Sequence, residues 1–227
     1  MPPKPLRQVK TSPETGQHKA NGAAGKPKRK SRKYGTIIAA AREVFFEDGY
    51  AGASMDRITA RAGVSKATIY ANFRSKEEVL RAVVQAMVEP IADQYETLTS
   101  RTAEFDEWLL ALGKQVARNA VLPDVIALER LVLGEALRFP ELGKLFYEHA
   151  IQAALRSFRP RFEAAIEAGY LRPCDPAMAL ARFAQWCTGS LRREVIMNLR
   201  PYPDQAEIDA FAADAVAAFL QGYGGQK

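Results

Sequence analysis

From Tyr34 onward, apolar residues recur every three or four positions, and no stretch alternates as a half-buried strand would. This pattern predicts an all-α fold. Ile37, Ile38, Ala41, Val44 and Phe45 share one face of a first helix over about 34–48. Gly49 is its expected stop, because glycine accepts left-handed cap geometry. Ser54 suits the N-cap of a short second helix, about 55–62, that Gly63 ends. Ser65 caps a third helix to about 71, closed by Asn72 and Phe73. Ser75-Lys-Glu-Glu78 reads as a capping box. It opens a long fourth helix striped by Leu80, Val83, Val84, Met87, Ile91, Tyr95 and Leu98. Further helices are expected over about 105–121, 124–138, 141–168, 176–199 and 204–221. Prolines 123, 140, 173, 176, 201 and 203 stand near their boundaries, where proline costs least. Pro160 lies inside a helical run and predicts a kink.

The first 33 residues break the pattern. They are rich in Pro, Gly, Lys, Ser and Thr and hold ten Lys and Arg against one acid, Glu14, a net +9. The whole chain has 32 basic and 26 acidic groups, so the other 194 residues carry 22 and 25, a net −3. The basicity belongs to a tail that cannot offset its own ordering entropy. Its run from Lys26 to Lys33 reads as a solvated tail, a nuclear-import signal or an electrostatic arm for nucleic acid. No apolar run approaches the roughly 20 residues of a membrane span, and no secretory signal is visible. A cytoplasmic protein is expected. Cys174 and Cys187 do not make a disulfide framework. With His18 and His149 the only histidines, no metal-ligand cluster, nucleophile elbow or phosphate loop can be composed, so neither catalysis nor a cofactor is expected.

The segment SMDRITARAGVSKATIYANF, Ser54 to Phe73, carries the function. Two short helices around Gly63 cannot each bury a face alone. Ile58, Ala62, Val64 and Ile69 give them a shared core at helix-turn-helix spacing. The leftover face of the second helix is Ser65, Lys66, Ala67, Thr68, Tyr70 and Asn72. It is small and polar with one cation, suited to a major groove about 12 Å wide. Lys66, Thr68 and Asn72 are candidates for base edges and Tyr70 for a phosphate. Ser54 and Met55 flank that face. Lys76, with the free amides of the fourth helix, is a candidate anion anchor. Lys30, Arg32 and Lys33 extend the contact upstream.

AGVSKATIYANFRSKEEVL, residues 62–80, and AREVFFEDGY, residues 41–50, closely resemble the DNA-binding domain of the TetR family of bacterial regulators. Ala71 departs from the family, many of whose members place a histidine or a larger polar residue there. The Leu131–Phe146 segment and the Asp175-Pro176 helix start resemble the C-terminal domains of an AcrR- or AefR-like branch. Downstream of the basic arm over 1–33, the resemblance implies a three-helix reading head over 34–80 and a larger helical domain over 81–227 that binds a ligand and dimerises. It further implies a homodimer on palindromic double-stranded operator DNA, and a repressor released by an unidentified, largely apolar effector. The last two helices suit the dimer interface, through Leu180, Phe183, Ala184, Cys187, Leu191 and Val195 on one and Ile208, Phe211, Ala212, Ala215 and Phe219 on the other. An intramolecular helix pair is the alternative. Trp108, Leu112, Phe139, Phe146, Tyr147, Phe158, Phe162, Phe183 and Trp186 are candidate pocket residues. Glu129, Arg130, Glu135 and His149 are candidate polar anchors. An architectural DNA-binding protein without a ligand is a competing class, against which the size of the C-terminal body speaks.

The arm yields a number. If about three of its cations meet phosphate, the salt slope gains about −2.7, and affinity falls by an additional roughly 40-fold between 50 and 200 mM salt. Deleting residues 1–30 is therefore expected to weaken binding to operator and to random DNA by similar factors, measured by fluorescence anisotropy across a salt series. An unchanged salt slope would contradict the arm.

Overall fold

Ten α-helices follow one another in the computed structural model, which describes residues 32–99 and 104–225. Most of the basic arm, Lys30 included, lies outside the described residues. The head is α1 (Arg32–Gly52), α2 (Met55–Ala62), α3 (Lys66–Asn72) and the start of α4 (Lys76–Thr99). The body adds α5 (Phe105–Ala120), α6 (Pro123–Glu135), α7 (Pro140–Phe146), α8 (Ala153–Glu167), α9 (Pro176–Ile196) and α10 (Gln205–Tyr223). A π-helical segment, Tyr147–Gln152, joins α7 to α8.

Local chemistry explains the head. The Ser54 hydroxyl accepts from the Arg57 amide at 3.2 Å, and the Ser65 hydroxyl from the Thr68 amide at 3.1 Å. Both satisfy amides that a helix start leaves without partners. Gly63 ends α2 in left-handed geometry (φ 62°, ψ 32°). The capping box forms in a shifted version. Ser75 Oγ accepts from the Glu78 amide at 3.3 Å, but Glu78 reaches back to the Arg74 amide at 2.7 Å. Gly49 departs from expectation. Its φ of 71° and ψ of 174° are not those of a left-handed cap. This extended positive-φ region is open essentially to glycine alone, and it lets the chain turn sharply before Tyr50.

Three proline-bounded starts are borne out, at Pro123, Pro140 and Pro176. Pro160 does not break α8, and Pro90, unremarked in the pattern, sits inside α4. Both prolines are exposed, so the carbonyl that each deprives of a donor can turn to water. The irregularity in this region is the π segment upstream of Pro160.

One apolar cluster joins Ile37, Val44, Phe45, Ile58, Ile69, Phe73, Leu80 and Val83 to Leu128, Leu131 and Leu142 of the body. The head core is thus continuous across position 80. A second cluster gathers Trp108, Leu112, Phe158, Phe162, Phe183 and Phe219. A third links Ala117 and Val121 to Leu191, Ile208 and Ala212. The apolar faces of α9 and α10 named above as an interface therefore pack within the chain: Leu180, Phe183, Cys187, Leu191, Val195, Ile208, Ala212, Ala215 and Phe219 are all buried. They face α5, where the absence of a side chain at Gly113 permits close approach to Val216.

Cys174 is half-buried, Cys187 is buried, and neither is in a disulfide. Burial pushes the Cys187 thiol up to about 12. At pH 8 only about one molecule in ten thousand then carries the thiolate that alkylating reagents attack. Iodoacetamide is expected to modify Cys174 in the native protein and Cys187 only after denaturant is added. Equal rates for the two, followed by peptide mass spectrometry, would contradict this packing.

Candidate nucleic-acid interface and cavity

The outward face of α3 is the one that the pattern singled out. Ser65, Lys66, Ala67, Tyr70 and Asn72 are exposed, with Thr68 at its edge, while Ile69 is fully buried beneath them. Exposed Ser54 and half-buried Met55 stand at the start of α2, and exposed Arg32 and Lys33 at the start of α1. Several of these side chains have partners in the free chain. Lys66 Nζ lies 2.8 Å from Asp56 Oδ1. That carboxylate accepts from the ammonium and holds its pKa above the ordinary lysine value. The pair is exposed and solvent-screened, so a polyanion can displace Asp56 readily. The Thr68 and Ser65 hydroxyls are 2.9 Å apart. Asn72 Nδ2 donates to the Thr68 carbonyl at 2.8 Å, so reading an adenine edge requires that amide to turn.

Arginines on α2 fix the reading pair to its floor. Arg61 meets Glu43 at 2.8 Å and Glu47 at 2.7 Å, and Arg57 meets Asp48 at 2.6 Å. Hydrogen bonding from Arg61 is the main reason that the Glu47 carboxyl stays below its ordinary pKa.

Lys76 requires a correction. Its ammonium does not stand free at the mouth of α4. It donates to the carbonyls of Tyr50 at 2.6 Å and Ala53 at 3.0 Å, and lies 4.3 Å from the centroid of the Tyr50 ring. The reason is the end of α1 at Gly52, whose last carbonyls lack helical donors just where Lys76 can reach them. Glu135 is likewise no pocket anchor. Its Oε1 accepts from the Ala51 amide at 3.0 Å. Phe139 stacks edge-on to Tyr50, with centroids 4.9 Å apart. Arg42 adds an ion pair to Asp124 at 2.6 Å. So α4 and α6 together grip the α1–α2 link.

A cavity of about 660 Å³ opens between α4, α5, α6, α8, α9 and the π segment. Of the residues expected to line a pocket, Phe146 and Tyr147 do so. Leu112, Phe158 and Phe183 line a smaller neighbouring cavity of about 100 Å³. Trp108 and Phe162 are instead solid core, at 1% and 0% exposure. Trp186 is half-exposed and packs against Phe219. Arg130 donates to the Val195 and Ile196 carbonyls at 2.6 and 2.9 Å, and His149 does not line either cavity. The wall missed by sequence reasoning is made by Met87, Ile91 and Tyr95 of α4, Val116 and Asn119 of α5, Leu128 of α6, and Ala150, Ala154, Ala181 and Ala184. The signal that could have revealed it is alanine at facing positions of long helices, where core packing calls for bulk.

A helix-turn-helix with a solvent-facing polar helix, set on a larger helical body that encloses an apolar cavity, defines a DNA-binding transcription regulator. The chain belongs to the TetR family. Residues 107–225 match the model of the AefR-like transcriptional repressor C-terminal domain, and residues 37–83 that of the bacterial regulatory proteins of the tetR family. The HTH-type transcriptional activator FasR of Mycolicibacterium smegmatis is 40% identical over 81 residues, which span 35% of this chain and 37% of FasR. Among solved structures, a protein assigned to the TetR family from Mesorhizobium loti superposes with a TM-score of 0.76 at 29% identity, over 86% of this chain and 98% of that one. The flavonoid-responsive regulator FrrA does so with a TM-score of 0.72 at 29% identity, over 86% and 99%. These relatives are regulators, not enzymes. Among the described residues, no helix is long and apolar enough to cross a membrane.

Replacing Lys76 with Met removes two charge-assisted bonds to backbone carbonyls and is expected to lower stability by about 1.5–3 kcal/mol, read from urea melts. Because the ammonium faces inward, the slope of log Kd against log salt for DNA should stay unchanged. A slope reduced by about 0.9 with stability intact would return Lys76 to the role of phosphate anchor.

Proposed function

We propose that this regulator is a homodimeric repressor that binds a palindromic operator through α3 and is released when a largely apolar effector fills the cavity. The observation that carries the reading is that the helices forming the cavity wall also hold the reading head. α4 presents Met87, Ile91 and Tyr95 to the cavity and Lys76 to the α1–α2 link; α6 presents Leu128 and Glu129 to the cavity and Glu135 to the same link. An effector that fits only a shifted arrangement of α4 and α6 favours a different placement of the head. Two heads bind one duplex only when they sit about one helical turn, or a multiple of it, apart.

On α3, Lys66, Thr68 and Asn72 read base edges, with Ala67 allowing close approach. Ser54, Met55, Ser65 and Tyr70 position the backbone, and Lys30, Arg32 and Lys33 add charge along it. The sense of regulation rests on the repressor model matched by the body, and an apolar effector agrees with the flavonoid response of FrrA. The dimer forms through outward faces of α9 and α10. Exposed Met178 and Trp186 stand on α9, and exposed Ala210, Ala213, Ala217 and Ala218 on α10 let a partner helix approach closely. The regulator acts in the cytoplasm, where its operator lies.

Selecting bound sequences from random duplexes is expected to return a two-fold symmetric site. Lys66→Ala should weaken binding to it by about 1–3 kcal/mol if the lysine reaches a base, while random DNA suffers less. An asymmetric site, or a monomer by sedimentation at the concentrations that bind DNA, would sink the dimer reading. Operator affinity unmoved by every apolar compound that binds the cavity would sink release by an effector.

A further inference from the structure

The polar part of the cavity wall narrows the class of effector; this inference rests on the reading of the cavity as the effector site. Of the lining residues, only Glu129 of α6 and Arg192 of α9 carry charge. They pair with each other, Arg192 Nη1 donating to Glu129 Oε1 at 2.6 Å, so their charges cancel at the wall. Neither side chain is fully satisfied. Glu129 is 9% exposed, and its Oε2 has no hydrogen-bond partner; nor has Arg192 Nε. Asn119, 5% exposed, also lines the cavity. Its Oδ1 accepts from Gln115 at 2.9 Å, and its Nδ2 has no hydrogen-bond partner. One acceptor and two donors thus stand buried and uncompensated around an apolar space, a costly arrangement.

We propose that the effector is an uncharged, apolar molecule bearing a hydroxyl group, and that this hydroxyl docks on the Glu129–Arg192 pair. Its O–H donates to Glu129 and its oxygen accepts from Arg192. Asn119 offers its amide to a second neutral oxygen where the ligand carries one. The unsatisfied atoms lie behind the wall surface; a turn about the broad terminal torsions of Glu129 and Asn119, and a rotamer change about the Cγ–Cδ bond of Arg192, bring them to the ligand. Charge settles the class. A carboxylate would meet the Glu129 charge and have to take Arg192 from it, and an ammonium would meet Arg192 in the same way. The carboxylate leaves Glu129, its side chain 12% exposed, without its partner where that costs most, and the ammonium leaves the 34%-exposed Arg192 side chain without the acceptor that neutralises it. A plain hydrocarbon fills the space but leaves all three atoms as they are.

Four probes on one skeleton test this with the full-length protein by calorimetry: biphenyl-4-ol, biphenyl, biphenyl-4-carboxylate and biphenyl-4-ylmethylammonium. The hydroxyl compound is expected to bind at least tenfold more tightly than the other three. In isosteric Glu129→Gln the carboxylate should gain at least tenfold relative to the hydroxyl compound, because Arg192 is then uncompensated. In Arg192→Gln the ammonium should gain instead. Circular dichroism checks that each variant folds, and a merely structural pair would not change which ligand charge is preferred. Either ion matching the hydroxyl compound on the native protein, biphenyl matching it, or an order unmoved by both substitutions overturns the proposal. The cavity reading has its own control. Ala154→Trp, with Ala181→Phe as a second filling variant, should abolish binding of all four probes. Binding that survives filling, or no binding at all to the native protein, overturns that reading and this proposal with it; filling-sensitive binding with the wrong charge order overturns this proposal alone.

Discussion

Four residues of backbone, Tyr50 to Ala53, seat the reading head on the body, beside the shared apolar core and the Arg42–Asp124 ion pair. The non-helical backbone at Gly49 bends the last turn of α1, and three polar groups between Tyr50 and Ala53 are satisfied from a distance. Two carbonyls are held by Lys76 and one amide by Glu135. Backbone groups in a partly buried link must find partners or forfeit a kcal/mol or more each, on the order of 1–3. The link is therefore seated on α4 and α6 and cannot drift from either without loss. The Tyr50 ring, packed on Phe139 and under the Lys76 ammonium, reinforces the same seat. Gly49 is confined further by Glu135 itself, whose Oε1 would lie 3.1 Å from any added Cβ.

In the proposed reading, the cavity is the second half of a switch. Its walls include stretches of α4 and α6, the two helices that also hold the link. Two features make these walls adjustable. Pro90 removes a backbone bond from α4 within the lining stretch, and the π segment supplies wall residues from a turn without regular α-helical bonding. The wall is also lined by alanines, so its shape is set by backbone positions more than by side-chain bulk. A ligand there is accommodated by helix displacement as well as by side-chain turns, and helix displacement is what the seated link can register. The differential affinity for two helix arrangements, not affinity as such, decides how far the population moves.

The head was legible in the sequence almost residue by residue, and the body much less so. Caps act within three or four residues, so Ser54, Gly63 and Ser65 announce themselves. Gly49 was legible as a stop but not in its conformation, because an extended positive-φ turn and a left-handed cap call for the same residue. Lys76 was misplaced for a related reason. A lysine at a helix start suggests an outward anion site, and its carbonyl partners lie 23 and 26 residues upstream, beyond any local pattern. Glu135 and Ala51 are 84 apart. The aromatic residues chosen for a pocket became core for a simple reason: large rings fill space, and a cavity survives where rings are absent. The dimer faces failed by the same logic, since the broadest apolar stripe on a helix is claimed first by its own chain.

That last point shapes what α9 can do. Its buried stripe, centred on Phe183 and Cys187, fixes the helix to α5 and α10. A flank carries Arg192 to the cavity, paired with Glu129 of α6. Another exposes Met178 and Trp186, the face proposed for the twin subunit. An effector that docks on the Glu129–Arg192 pair therefore touches the helix proposed to bear the partner as well as the helix that seats the reading head. Repositioning α6 alone would tilt one head within its protomer. Loading α9 at the same time couples that tilt to the subunit contact, where a small rotation changes the separation of both heads. The ion pair joins the two elements in the empty protein, and a hydroxyl docked there adds a bridge beside the direct bond. Such a bridge ties the ligand to both helices at once, so the arrangement that accommodates the ligand is held by hydrogen bonds rather than by strain.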